Sequence, residues 1–509
     1  MVARTDDTKS LSDTPYIVSL DVGSSSVRTF LFDGRGRQVA GFGKQLSYQL
    51  ATTPDGGAEI DAKELAELAA ECLSALHEQM REAGLRASAV AVDTFWHSFL
   101  GVDEAGEPTT PILHLLDTRS APQVRELARR LDGGESHRRT GTVFHTSYWP
   151  ARLLWLHEHH PEVFPRTRWW QSFGEYFFAR IFGEAVGSTS MQSGTGIWNP
   201  NRNDYDDALL EILPIRREQL PEPGSLDAPK SRLLEPWRGR WPGFDQIPWF
   251  PALGDGACNN IGSGCVTPER VSLMVGTTGA MRAVVEQPGV EIPGGLWCYR
   301  VDRRRLVLGG ALSNGGSVFD WMRRTLQLPG DEELEAALKS VAPGGHQLTV
   351  LPLFAGERST GWRAEARAAI AGMSLHTKPV DIVRAALESV ALRFRQVYEL
   401  IARQLGEPKE VIASGTGLLK SPAWAQMMAD ALGRPVVMCQ EPEATARGAA
   451  LLALERIGAI GDAGELPPAT GETYQPRAEY FDIYTAMLAR QRTLYDKLFK
   501  EDGPHVEHV

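Results

Sequence analysis

The chain has 509 residues, 42% hydrophobic and 23% charged, a length that calls for two or three domains, each with its own apolar interior. A formal net charge of −11 with no Lys/Arg block excludes a nucleic-acid surface and points to a small-molecule ligand. Five cysteines (Cys72, Cys258, Cys265, Cys298, Cys439) show no C-x-x-C pair, the N-terminus is polar, and no stretch reaches about 18 uninterrupted apolar residues, so the reading is a reduced cytoplasmic protein without signal peptide or membrane span.

In chain order, Tyr16–Leu20 and Val27–Phe32 read as strands around a tight turn, Asp21-Val22-Gly23-Ser24-Ser25-Ser26. Gly23, Ser24 and Ser25 let the backbone approach a phosphate, and Asp21 at the strand end can hold Mg²⁺; a serine-rich hairpin is the alternative. Ala62–Ala83 carries apolar residues at helical spacing with Gly84 as its stop, and Val90–Asp93 is a buried strand leading to Thr94-Phe95-Trp96-His97-Ser98. Asp206–Leu220 reads as a helix and turn, and the Pro-rich stretch from Pro221 to Pro251, with Trp237, Trp241 and Trp249, as a crossover between domains.

The acid in Gly254-Asp255-Gly256 stands before a second strand, Val271–Val275, and a second turn, Gly276-Thr277-Thr278-Gly279. Bare N–H groups and two hydroxyls at that turn suit phosphate oxygens, and Asp255 is placed to take a proton from an attacking hydroxyl; an N-cap and a plain hairpin are the alternatives. Val318–Leu326 and Asp381–Arg403 read as helices. The strand Val411–Ser414 opens onto Gly415-Thr416-Gly417, where a flat adenine or ribose can lie against backbone, and Ser421 stands before a helix Pro422–Leu432, which it either caps or serves as part of the nucleotide site. A last core helix opens at Glu443, and Tyr480–Phe499 is amphipathic.

SLDVGSSSVRTFLFD, GDGACNNIGSG, MVGTTGAMR and ASGTGLLKSPAWAQMMADALGRPV resemble, in order, the first phosphate, catalytic, second phosphate and adenosine motifs of the FGGY carbohydrate kinases, from about Tyr16 to Phe499. The resemblance implies two actin-like (ribonuclease H-like) α/β ATPase domains of the hexokinase, Hsp70 and actin superfamily around a central cleft. It implies ATP and Mg²⁺ as cofactors, Asp255 as the base, and sugar contacts from Trp96, His97 and Asp117. Asn314 and Ser421 join Gly23, Ser24, Ser25, Gly276, Thr277, Gly415, Thr416 and Gly417 at the nucleotide, with Asp21 on the metal. Two departures stand out: Arg152 replaces the usual lysine of Pro-x-Lys-Leu-x-Trp, and Phe173-Gly174-Glu175-Tyr176 lacks the usual Lys-Asp. Leu351–Arg358 resembles the family's L-P-x-x-x-G-E-R/K loop, without a role for Glu357 or Arg358.

The reading is an ATP-dependent kinase for a primary hydroxyl of a sugar or sugar acid. FHTSYWPARLLWL, GDGACNNIGSGC and EATARGAALLAL look most like the gluconate kinases of that family, with Arg119 or Arg152 as candidate partners of a carboxylate. A kinase for xylulose, ribulose or glycerol and a non-catalytic nucleotide switch are the alternatives. The expected division is residues 14–250, 251–460 and a C-terminal extension 461–509; a homodimer is left open.

Overall fold

A computed structural model describes residues 15–222, 224 and 228–499. Residue 14, where the first domain was expected to begin, the polar N-terminal segment and the last ten positions of the extension lie outside the described residues.

Two sheets organise the molecule. In the first, the strands Ile17–Val22, Ser26–Phe32 and Gln38–Ser47 form an antiparallel meander, and Ala89–Thr94 and then Leu253–Gly254 add in parallel beyond Ile17–Val22. Numbered in chain order these five run 3-2-1-4-5. The second sheet repeats that order with Arg270–Val275, Gly279–Glu286 and Arg305–Leu312 as the meander and Glu410–Ser414 and Val436–Cys439 in parallel, with Trp297–Arg300 and Thr470–Tyr474 as added edges. Parallel neighbours need crossovers, and long helices supply them. This is the doubled actin-like α/β arrangement. It puts the turn at Gly23 and the turn at Gly276 in equivalent places, each between the first two strands of its sheet.

Local chemistry sets the helices. In Ala62–Glu82 the Asp61 carboxylate accepts the N–H of Lys63 and Glu64 at 2.8 and 2.9 Å, and the chain leaves through Gly84 at φ +68. Pro422–Leu432 has Ser421 as its cap, Pro422 at its first position and Gly433 in the left-handed conformation. Pro379–Leu405 spans 27 residues against the second sheet.

Three expectations change. The segment 206–220 is helical only over Asp207–Leu210, with a 3₁₀ turn at Arg217–Gln219, because Pro214 interrupts it. The stretch 221–251 is no free crossover. Trp241 and Trp249 are fully buried in the first core, the Trp241 indole donates to Ser74 on the helix Ala62–Glu82 at 2.9 Å, and Phe250 donates to Val90 at the sheet edge. A division at 250/251 cuts Leu253–Gly254 from the sheet it completes. Moreover, Ala257, Cys258 and Ile261, together with Ala446–Leu454 of the helix Ala444–Arg456, pack in the first core, so this late helix returns to the N-terminal body.

Candidate active site

Asp255 sits where a strand becomes a helix. Gly254 pairs with Thr94 in the first sheet and occupies the N-cap, and Asp255 is the first residue of the helix Asp255–Gly262. The capping alternative therefore falls to Gly254. Oδ1 of Asp255 accepts the adjacent Gly256 N–H at 2.7 Å, and the Trp96 backbone also favours the ionised carboxylate. Burial raises the Asp255 carboxyl above its ordinary range, and the Arg282 charge opposes that shift. Both flanking glycines are required, because a Cβ at Gly254 or Gly256 would lie 1.9 or 2.7 Å from the Trp96 ring.

Two more acids share this floor. Asp21 and Asp93 are opposite each other in the parallel pair Ile17–Val22 and Ala89–Thr94. Arg28 binds Asp21 at 2.6 Å and Glu443 at 2.8 Å. Burial nevertheless pushes Asp21 up to about 6, with Asp255 and Glu443 adding to the shift and Arg28 opposing it. Asp93 is fully buried with neither carboxylate oxygen hydrogen-bonded, and burial plus the charges of Asp21 and Asp255 raise it well above the ordinary range.

The two phosphate-type turns are both built. At the first, Gly23 N–H donates to Ser26 O at 3.0 Å, Tyr48 Oη donates to Gly23 O at 2.6 Å, and Ser24 and Ser25 are exposed. At the second, Gly276 N–H donates to Thr278 O at 2.9 Å, while Gly316 N–H donates to Gly276 O at 2.7 Å and Gly315 N–H to Thr277 O at 3.0 Å. Thr277 is exposed. Asn314, just before, accepts from Ala355 N–H at 3.1 Å and donates to Gly356 O at 3.3 Å, tying this turn to the loop that carries Glu357 and Arg358.

Gly415 has φ +93, and its Cβ would strike Val275 O at 2.4 Å; one on Gly417 would come within 3.0 Å of the same oxygen. The expected adenosine motif therefore abuts the strand that ends in the second phosphate turn. Thr416 is exposed beside it, whereas the Ser421 hydroxyl accepts Trp424 N–H at 3.2 Å and donates to Glu335 at 2.8 Å, the work of a cap.

On the sugar side, Trp96 donates its indole N–H to Ser190 O at 2.9 Å and lies 4.9 Å from the Tyr299 ring. His97, at φ +70, donates Nδ1–H to Gly194 O at 2.6 Å, leaving Nε2 as an acceptor. Burial holds His97 near 3, so the ring is neutral. His145 is neutral for the same reason, and its Nδ1 accepts Ser147 N–H at 3.1 Å, which puts its proton on Nε2. Tyr148 and Tyr299 join hydroxyls at 2.5 Å. Asp117 stands behind this wall, bound by Arg119 and by Ala58 N–H, with Arg119 also reaching Glu59 and stacking on Trp155. Arg152 is fully buried and donates to the carbonyls of Leu113, His114, His97 and Ser147. Arg152 is fully engaged by these carbonyls, and Arg119 is committed through Nε and Nη2 to Asp117 and Glu59. Glu175, where the usual Lys-Asp is missing, closes a capping box with Ser172.

The N-terminal and C-terminal domain models of the FGGY family of carbohydrate kinases match residues 16–262 and 271–455. The chain belongs to this family. A gluconokinase of Bacillus subtilis (strain 168) is 27% identical over 480 residues, 91% of either chain. A gluconate kinase from Lactobacillus acidophilus shares the fold at TM-score 0.89 and 26% identity, covering 96% of this chain and 98% of its own. A ligand-bound xylulose kinase from that organism also gives TM-score 0.89 and 26% identity, covering 96% of this chain and 99% of its own. As an FGGY kinase the protein is a phosphotransferase that uses ATP as donor, which sets aside the non-catalytic switch.

In this FGGY kinase, sequence reasoning passed over Asp93, Arg28, His145, Tyr148, Arg282 and Tyr299. Asp93 alone carried a local signal, an acid closing an apolar strand just as Asp21 does. A surface cavity of about 580 Å³ lined by His157, Phe164, Arg166, Arg168 and Arg216 holds none of the expected site residues. Among the described residues, no helix is long and apolar enough to cross a membrane.

Proposed function

We propose that this carbohydrate kinase transfers the γ-phosphoryl group of ATP to the terminal primary hydroxyl of D-gluconate or a close aldonate, with Asp255 as the base. The observation that carries the mechanism is the Asp255 carboxylate, placed at a strand-to-helix junction between Gly254 and Gly256 against the Trp96 ring, with no side-chain hydrogen bond and with its pKa raised by burial. A base of that kind accepts the proton of the attacking hydroxyl as the oxygen closes on phosphorus. Trp96 supplies an apolar face to the sugar C–H groups, and His97 Nε2 accepts a hydroxyl proton. The exposed Ser24, Ser25 and Thr277 and the N–H groups of the two turns hold phosphate oxygens, and Gly415, Thr416 and Gly417 receive adenosine.

Mg²⁺ fits this site, because Asp93 presents two buried carboxylate oxygens without partners beside Asp21. The ion would supply positive charge against the transferring phosphate. Asp21 and Asp93 would hold it. The preference for a sugar acid is supported by the gluconokinase of Bacillus subtilis and the gluconate kinase of Lactobacillus acidophilus. Five buried free cysteines agree with a cytoplasmic location.

The test is coupled ADP release over D-gluconate, D-xylulose, D-ribulose, L-ribulose and glycerol. Gluconate is expected to give the highest kcat/KM. A neutral ketose or polyol ahead by about tenfold, a transition-state preference of about 1.4 kcal/mol, would overturn the sugar-acid reading and leave the kinase intact.

A further inference from the structure

Two guanidinium groups in the cleft wall have no acceptor. Arg282 lies on the strand Gly279–Glu286, and its Nε and Nη1 are buried without a hydrogen bond; Arg358, in the loop after Pro352, buries Nε equally unpartnered. Among the described residues neither enters an ion pair. Arg282 feels the charge of Asp255 without a hydrogen bond to it, and an indole lies 6.0 Å from each guanidinium, Trp297 for Arg282 and Trp362 for Arg358. Their buried neighbours are different. Arg300 is bound by the carbonyls of Pro200, Pro288 and Arg303, Arg305 by Asp302 and Glu455, and Arg393 by Glu357. Both side chains are half-buried, and a buried N–H without an acceptor is costly, so an accepting group that enters from outside is the missing partner.

The position of the pair says which anion. A Cβ on Gly256 would meet the Trp96 ring at 2.7 Å and Arg282 Nε at 3.4 Å, so Arg282 and Trp96 border the same space beside Asp255. Arg358 lies over Trp362, whose ring is 5.8 Å from that of His145, and its charge bears on His97 and His145 of the sugar-side wall. The ATP phosphates have their own seats at the two hairpin turns.

We propose that Arg282, with Arg358 facing it, receives the carboxylate of the sugar acid and is the residue that selects an aldonate over a neutral chain of the same length. This rests on the aldonate reading above. A planar guanidinium fork matches a carboxylate bidentately, and the unbonded Nε and Nη1 of Arg282 are satisfied when a carboxylate occupies the pocket. The loop is set for this by Glu357, whose carboxylate is held by Arg393, by Tyr495 Oη at 2.5 Å and by Gly361 N–H at 3.2 Å, so that Arg358 next to it is left to face the pocket.

The experiment compares D-gluconate with D-glucitol, the same carbon chain without the charge, in the full-length wild type and in Arg282→Met, Arg282→Lys and Arg358→Met. Equilibrium binding is read by tryptophan fluorescence, and kcat/KM by ADP release. The ratio of gluconate to glucitol is expected to fall by about 10² or more in Arg282→Met, less in Arg358→Met, and to recover in part in Arg282→Lys. A wild type that favours gluconate while Arg282→Met keeps the same ratio overturns the assignment and spares the aldonate reading. A wild type indifferent to the charge overturns both.

Discussion

Asp255 and Asp21 are both acids buried against their own charge, and the two make opposite demands on pH. Asp255 must be ionised to act, and its pKa lies above the ordinary 3.8, so kcat/KM for the sugar should fall on the acid side along a limb displaced upward from that value. Asp255→Asn keeps the shape of the junction, and the cap is supplied by Gly254. Its kcat should drop by about 10² or more with the melting temperature little changed, measured by coupled assay and calorimetry; near-normal turnover would remove Asp255 from the mechanism. For Asp21 the sign runs through stability. A folded-state pKa of about 6 against an ordinary 3.8 means that the native state binds this proton more tightly, a contribution present in full below 3.8 and lost as pH rises through 6. Asp21→Asn should therefore raise the melting temperature of the ligand-free protein at about pH 7.5, with the gain vanishing near about pH 4, while phosphoryl transfer is lost. A lower melting temperature at the higher pH would contradict the burial argument.

Between the two sheets, elements meet at few atoms, and those atoms decide what each motif can tolerate. Thr277 is exposed, so Thr277→Val should leave the fold intact and weaken ATP more than ADP. Gly417 leaves only 3.0 Å between a new Cβ and Val275 O, so Gly417→Val should weaken both nucleotides together. Nucleotide titration of the two variants separates these outcomes, and undiminished ATP binding in both would put the nucleotide elsewhere. The same contacts explain what was readable in advance. Pro422–Leu432 was legible residue by residue because Ser421, Pro422 and Gly433 mark its ends chemically, and the two hairpins because an apolar run, a small-residue turn and another run stand adjacent in the chain. Asp93 carries only the signal of an acid closing an apolar strand, and Arg282 carries none, because buried polar atoms without a hydrogen bond are properties of long-range packing. Asp117 was read as a sugar contact, yet its partner Glu59–Arg119 pair joins segments 60 residues apart, a network no local pattern announces.

At the scale of the molecule, the first sheet is finished by the chain's far end. Ser19 Oγ donates to Ala446 O at 3.0 Å across 427 residues, Arg28 binds Glu443, and the helix Ala444–Arg456 covers Ile17–Val22 and Ala89–Thr94. A chain ending at residue 250 would lack Leu253–Gly254, the helix Asp255–Gly262 and this cover, and should expose an apolar sheet face; it is expected to lose cooperative unfolding and near-ultraviolet circular dichroism. A sharp, reversible transition in that fragment would show that the first body is complete without them. The Glu357 anchor extends the point to the last helix, since Tyr495 lies only a short way from the end of the described chain. Synthesis runs from the N-terminus, so the floor that carries Asp21 waits for some four hundred later residues before it is covered, and the sugar-side loop waits for Tyr495. During synthesis the first core therefore closes only once Ala444–Arg456 has emerged, and the sugar-side loop is fastened later still, when Tyr495 reaches Glu357.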